Sequence, residues 1–199
     1  MRVLPCWQPK NFYSLGFIMK GIIFTELVEM VEATFSPELM DELMEEAELP
    51  SKGIYTSVGT YDHTEILTLV TLLSEKVNMP VVDLVKAFGQ HLAGRFVIQY
   101  PMFFEKVDGL FGFLETVDNH VHVEVKKLYP DAELPNFATE RVMPDTLKMT
   151  YRSSRPFNDV AEGLIKGCSE HFGEEIDLSR KDAIVDDLFI SEFLIKRVA

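Results

Sequence analysis

Cysteine, basic charge and long apolar runs are all scarce in this chain, and each scarcity closes off a class of protein. Two cysteines, Cys6 and Cys168, are too few for a disulfide framework or a four-cysteine zinc site. Reduced thiols in a cytoplasmic protein are the plain expectation. Nineteen Lys and Arg stand against 32 Asp and Glu, a net charge of −13. A nucleic-acid surface needs Lys and Arg to neutralise phosphates, and docking on anionic lipid needs them too, so neither partner suits this chain. No apolar run reaches the ~18 residues of a membrane span. No GxSxG elbow, glycine-rich phosphate loop, HExxH, CxxC or His–carboxylate ligand pattern is read. A zinc enzyme is therefore not expected, and no nucleophile–base pair marks any other kind of enzyme.

The remaining residues suit one soluble domain: 199 residues, 47% hydrophobic, are enough to bury a sizeable core. The first 18, "MRVLPCWQPKNFYSLGFI", hold two prolines, the only Trp and no acid. They lack the continuous apolar stretch and small-residue cleavage site of a signal peptide. They read as an appended leader, with the domain proper starting at Met19.

Apolar residues then step at helical spacing from Ile22 to Ala47, with Ser36 and Pro37 marking a fresh helix start. "LPSKG" at 49–53 is a break. A helix over 61–78, capped by Asp62, and another over 79–100, ending before Pro101, follow. Residues 102–130 read as one long apolar helix. After Pro130 the period changes: "NFATERVM" and "TLKMTYRSS" alternate about a "PD" turn, "DVAEGLIKGCSEHFG" returns to helix and stops at Gly173, and "EEIDLS" and "DLFISEFLIKRV" alternate again. Helices first, then an antiparallel sheet with a helix inserted, make the fold class α+β.

Two places carry candidate chemistry. On a strand, alternation puts Tyr151, Ser153 and Arg155 on one face and Arg152 and Ser154 on the other. Two hydroxyls and a guanidinium form a donor row suited to carboxylates or phosphate; a solvated polar edge strand would carry the same pattern. Among the five histidines, His63 and His171 lie near helix ends and are expected to be exposed, and His91 is uninformative. His120 and His122 lie in an apolar helix, "VDNHVHVEV". Two residues apart, they face roughly opposite ways and cannot share a pocket. One of them suits an axial metal ligand, or else a buried histidine satisfied by a backbone carbonyl.

The Y-x-S-x-R pattern at 151–155, the start "MKGIIF" at Met19, the stretch "VHVEVKKLYPDAELP" and the 29-residue step from His122 to Tyr151 together resemble the H-NOX family. These are the haem nitric oxide/oxygen binding domains related to the haem domain of soluble guanylate cyclase. The resemblance covers Met19 to Ala199. It implies a single haem b domain, with a helical lobe over about 19–84 and a ligating helix and sheet lobe over about 85–199. Residues 1–18 would then follow from an upstream translation start.

The resemblance also implies roles. Tyr151, Ser153 and Arg155 would hold the haem propionates, Pro135 would pack against the porphyrin, and His122 would be the proximal iron ligand, with His120 as the rival. The distal tyrosine of oxygen-binding relatives falls on Val160, and its neighbouring network positions fall on Leu27 and Leu92. Ile23, Phe96 and Leu164 complete an apolar wall, though all six would also serve as plain core. With no donor to stabilise O₂, the implied ligand is NO, with CO also bound and O₂ weakly or not at all. The region matching a structural zinc site of some relatives holds only Cys168, so no zinc is expected. NO binding would break the His122–iron bond and shift the helical lobe against the sheet. The output would pass to a separate partner, such as a histidine kinase or a cyclic-di-GMP enzyme. Two alternatives stand beside this one: a haem sensor of O₂ or redox state, and a haem-free binder of an apolar carboxylate held by Arg155.

Overall fold

The computed structural model describes residues 18–130 and 132–198; of the expected leader only Ile18 falls within them. A short strand, β1 (Ile18–Lys20), pairs antiparallel with β2 (Thr60–Asp62). Between them run α1 (Gly21–Thr34) and α2 (Pro37–Glu46). Ser36 caps α2, its hydroxyl accepting the Leu39 N–H at 3.2 Å, and Pro37 takes the first helical position, where a missing N–H does no harm. Asp62 caps α3 (His63–Val77) by accepting the Thr64 N–H at 2.8 Å. The helix stops on Asn78 in the left-handed region. α4 (Val81–Gln99) follows between Pro80 and Pro101. Phe24 and Leu27 of α1, Met40 and Leu43 of α2, Leu69 and Leu73 of α3, and Leu84, Phe88 and Leu92 of α4 close one core.

The expected single helix over 102–130 does not form. Pro101–Phe103 makes one 3₁₀ turn, and the chain then loops to Gly109 at φ 71°, a backbone state that favours glycine and breaks a helix. α5 (Gly109–Thr116) and α6 (His122–Leu128) run on from there, joined by a π turn over Val117–Val121. Leu110, Phe111, Phe113 and Leu114 of α5 are buried, whereas α6 buries no residue fully.

The sheet consists of two hairpins, β3 (Asn136–Met143) with β4 (Thr146–Ser153) and β5 (Ile176–Val185) with β6 (Leu188–Arg197). Its order is β3–β4–β6–β5, antiparallel throughout. α7 (Asn158–Phe172) lies between the hairpins in sequence and ends on Gly173 at φ 64°. The fold class is α+β, as the change of period implies. Period two buries Leu147, Met149 and Tyr151 of β4 and Ser191, Phe193 and Ile195 of β6. The apolar members of this face pack on Phe111 and Leu114 of α5 and Ala161, Ile165 and Cys168 of α7, closing a second core.

α4 serves both cores, contributing Leu92 to the first and Ala93 to the second. The expected lobe division near residue 84 falls inside this helix. α4 and α7 cross with their backbones in contact. A Cβ at Gly163 would stand 2.1 Å from the Lys86 carbonyl oxygen, and one at Gly89 would stand 2.4 Å from that of Val160. Only glycine allows so close an approach, and it brings Leu92 and Phe96 of α4 beside Val160 and Leu164 of α7.

Candidate functional site

Alternation along β4 places Tyr151 inward, 1% exposed, and Ser153 half-buried, while Arg152 and Ser154 face solvent. Arg155 departs from the expected strand row: β4 ends at Ser153, and Arg155 lies in the bend beyond it. Pro156 has no N–H to give a ladder. The bend folds Arg155 back, and hydrogen bonds with Ser153, Tyr151 and Phe157 hold it. The Arg155 N–H donates to Ser153 Oγ (3.1 Å). The Tyr151 hydroxyl donates to the Arg155 carbonyl oxygen (2.7 Å) and accepts the Phe157 N–H (3.3 Å). Arg155 is 7% exposed as a result.

Tyr151 has one proton to donate, and here it goes to the Arg155 carbonyl; the hydroxyl reaches an outside carboxylate only by exchanging that bond. Burial raises its pKa, so it remains a neutral phenol. Ser153 accepts from the Arg155 backbone and also hydrogen-bonds the Tyr151 hydroxyl. The Arg155 guanidinium pairs with the carboxylate of Glu133, a solvent-exposed residue just before Pro135. This is the carboxylate-gripping chemistry that the sequence pattern suggests.

His122 begins α6. Its backbone N–H bonds the Val117 carbonyl five residues back, which is what widens the turn. Its side chain is 16% exposed. The ring lies 5.7 Å from that of Phe137, which in turn lies 5.7 Å from Tyr151, so Phe137 joins the histidine to the donor residues. Burial lowers the His122 pKa, and Lys126 lowers it further; the Asp118 carboxylate and the backbone of Pro135 act in the opposite direction. A neutral imidazole with an available lone pair is the form that binds metal. His120 is exposed and meets Phe103 edge-on at 5.6 Å. His171 is exposed as expected, whereas His63 is largely covered, 15% exposed, with Nδ1 3.4 Å from Asp62.

Leu27 and Leu92 are fully buried, and Ile23, Phe96, Val160 and Leu164 are half-buried. All six lie in or against the helical core, and Phe96 and Leu164 also pack against the core that contains Tyr151. None of the six carries a side-chain donor.

Two polar groups escape a reading of the motifs. Glu26 of α1, 2% exposed, takes contacts from His91 (3.2 Å), Arg95 (2.7 Å) and Gln99 (2.9 Å), successive turns of α4. Their spacing along α4 is legible, but their common partner appears only once α1 packs. Asp118 accepts the Phe137 N–H at 2.9 Å and stands 3.8 Å from His122 Nδ1. It lies four residues ahead of His122, the signal missed when the histidines are read alone.

A half-buried imidazole, a buried guanidinium and a serine hydroxyl on one side, with an apolar wall on the other, fit an apolar metal macrocycle bearing carboxylates. Two surface clefts, near Lys166–Leu178 and near Arg141 and Arg197, contain none of these residues. Their arginines are already paired with Glu115 and Glu174.

The haem-NO-binding family model matches residues 20–180. The chain belongs to that family. H-NOX structures share its fold. An unliganded Fe(II) H-NOX protein from K. algicida is 35% identical with a TM-score of 0.83, covering 91% of this chain and 97% of its own. One from Shewanella woodyi, in the Fe(II)CO state, is 43% identical with a TM-score of 0.77, covering 90% and 95%. One from S. oneidensis, in the Fe(II)NO state, is 29% identical with a TM-score of 0.82, covering 91% and 100%. H-NOX domains bind haem and sense gases. No helix among the described residues is long and apolar enough to cross a membrane.

Proposed function

We propose that this H-NOX protein is a cytoplasmic nitric oxide sensor that uses haem b, spans residues 19–199 as one domain and signals to a separate protein. The observation that carries the reading is the pairing of a covered, neutral His122 and a donor set around Arg155 with a wall that offers no donor at all. When bound, ferrous haem would supply a metal centre that takes diatomic gases. His122 would hold the iron, and Pro135 would pack against the macrocycle. Arg155, Ser153 and Tyr151 would take the propionates, Arg155 by exchanging Glu133 for them. Ile23, Leu27, Leu92, Phe96, Val160 and Leu164 would leave bound O₂ without a hydrogen bond, whereas NO and CO need none.

The likeness to structures in NO-bound and CO-bound states supports this choice of ligand. On NO binding His122 would release the iron, and α6 would carry that release to the surface. The partner we favour is a histidine kinase or a cyclic-di-GMP enzyme. The charge of −13 would steer a basic docking patch toward it.

The test is the absorption spectrum of the ferrous protein, first unliganded and then with NO. A Soret band that converts to a five-coordinate nitrosyl form is expected. A stable oxy spectrum in air would point instead to an oxygen sensor. Protein supplied with haem that shows no Soret band would point to a haem-free carboxylate binder.

A further inference from the structure

We propose that Asp118 is the positioning residue for His122: its carboxylate sets the imidazole through Nδ1 and leaves Nε2 to the metal. The inference rests on the haem reading above and deepens it. Asp118 Oδ1 stands 3.8 Å from Nδ1, a charge contact rather than a hydrogen bond.

The carboxylate is held from behind. The Phe137 N–H donates to Oδ1 at 2.9 Å, and the Asn136 side-chain amide lies 3.1 Å from each oxygen. These anchors are the first two residues of β3, directly after Pro135. The Pro135 backbone, which can only accept, also interacts with the His122 ring. The imidazole therefore lies between a fixed carboxylate on its own helix and the entry to a strand. Asp118 lies within the π turn, whose last hydrogen bond ends on His122 itself.

A histidine that ligates a metal gives its second ring N–H to a carboxylate or carbonyl, which fixes the tautomer and raises the basicity of the ligating nitrogen. The Pro135 backbone is the acceptor here, and the Asp118 carboxylate adds a negative charge 3.8 Å from Nδ1. A negative charge beside the ring makes the imidazole the more basic and so the stronger ligand. Asp118 thus sets how firmly His122 would hold the metal and how readily it would let go. A clamp that merely tied helix to strand would need the β3 contacts alone.

The experiment reads the His–Fe stretching band of the ferrous, unliganded holoprotein by resonance Raman. Asp118→Asn keeps the size of the side chain and an oxygen for the Phe137 N–H, and removes the charge. The band should move to lower frequency, and haem should be lost about tenfold faster. Asn136→Ala loosens the clamp but keeps the charge, and its band should match the wild type. Haem-loaded Asp118→Asn with an unshifted band overturns the inference and leaves Pro135 as the acceptor.

Should Asp118→Asn fail to fold, Asp118→Glu asks the same question: it keeps the charge and moves it by one methylene, so the band should shift, and an unshifted band overturns the inference. A wild type without a Soret band sinks the haem reading and this inference together. A normal band with no Asp118 effect sinks only the latter.

Discussion

Ile23 and Leu27, Leu92 and Phe96, Val160 and Leu164 come in pairs from three helices and meet without a single side-chain donor. By contrast, Tyr151, Ser153, Arg155, His122 and Asp118 come from a strand, a bend, a helix start and a π turn, and nearly every one has a named polar contact. The first set is specified by volume, and apolar swaps of similar size should be tolerated there. The second is specified by atom: one proton, one lone pair or one charge at each position. Under the proposed function the contrast would divide the work, with the wall choosing the gas by what it withholds and the polar side retaining the cofactor by what it supplies.

The strongest way to break that division is His122→Gly. It removes the one imidazole in the polar set, and stable haem binding should be lost, with the Soret band returning when imidazole is added. His120→Ala should keep the band, because that ring points to solvent. Reversed outcomes would move the ligand by two residues and undo the geometry built around Phe137 and Asp118.

Leu27→Ala comes next in size. The side chain is 1% exposed, and its truncation should remove about 2–5 kcal/mol of stability, read as a shifted denaturant midpoint. The division requires the His–Fe band to stay where the wild type has it. A shifted band would mean that the wall also sets the proximal side.

Arg155→Met follows. A charge-assisted contact contributes about 1.5–3 kcal/mol, so haem transfer to an acceptor protein should quicken roughly tenfold to a hundredfold. Glu133 faces solvent, so its loss of partner strands no buried charge, and haem-free stability should change little. Unchanged transfer rates would remove Arg155 from the propionate set.

Most of the wall and part of the polar side could be read in the sequence. Helical spacing, with Ser36 and Asp62 as starts and Gly173 as a stop, located α1 to α4 and α7, since caps and left-handed residues are local signals. The ribbon of β1 and β2 was illegible, because three residues per strand show no alternation. The π turn was hidden for a related reason: its extra residue leaves the apolar pattern intact. Alternation gave Tyr151 and Ser153 their faces but carried Arg155 along a strand that stops two residues earlier. Pro156 was the sign of that stop. The pairing of Asp118 with β3 depends on two segments meeting, so only the one-turn step from Asp118 to His122 could be seen in advance.

The smallest expected effect probes the wall directly. Val160 occupies the position of the distal tyrosine in oxygen-binding relatives, by the resemblance read from the sequence. It is half-buried on α7, against Leu164 and the helical core. Val160→Tyr brings in both bulk and a hydroxyl, so Val160→Phe is the proper reference: it brings the same ring without the donor. A hydrogen bond contributes about 0.5–1.5 kcal/mol net, so the tyrosine variant should bind O₂ roughly twofold to tenfold more tightly than the phenylalanine variant. NO affinity should be equal in the two, since NO makes no demand on a donor. If both variants gain O₂ affinity alike, bulk in the pocket is the cause. If neither gains, residue 160 does not face the ligand, and the choice of gas must come from elsewhere in the wall.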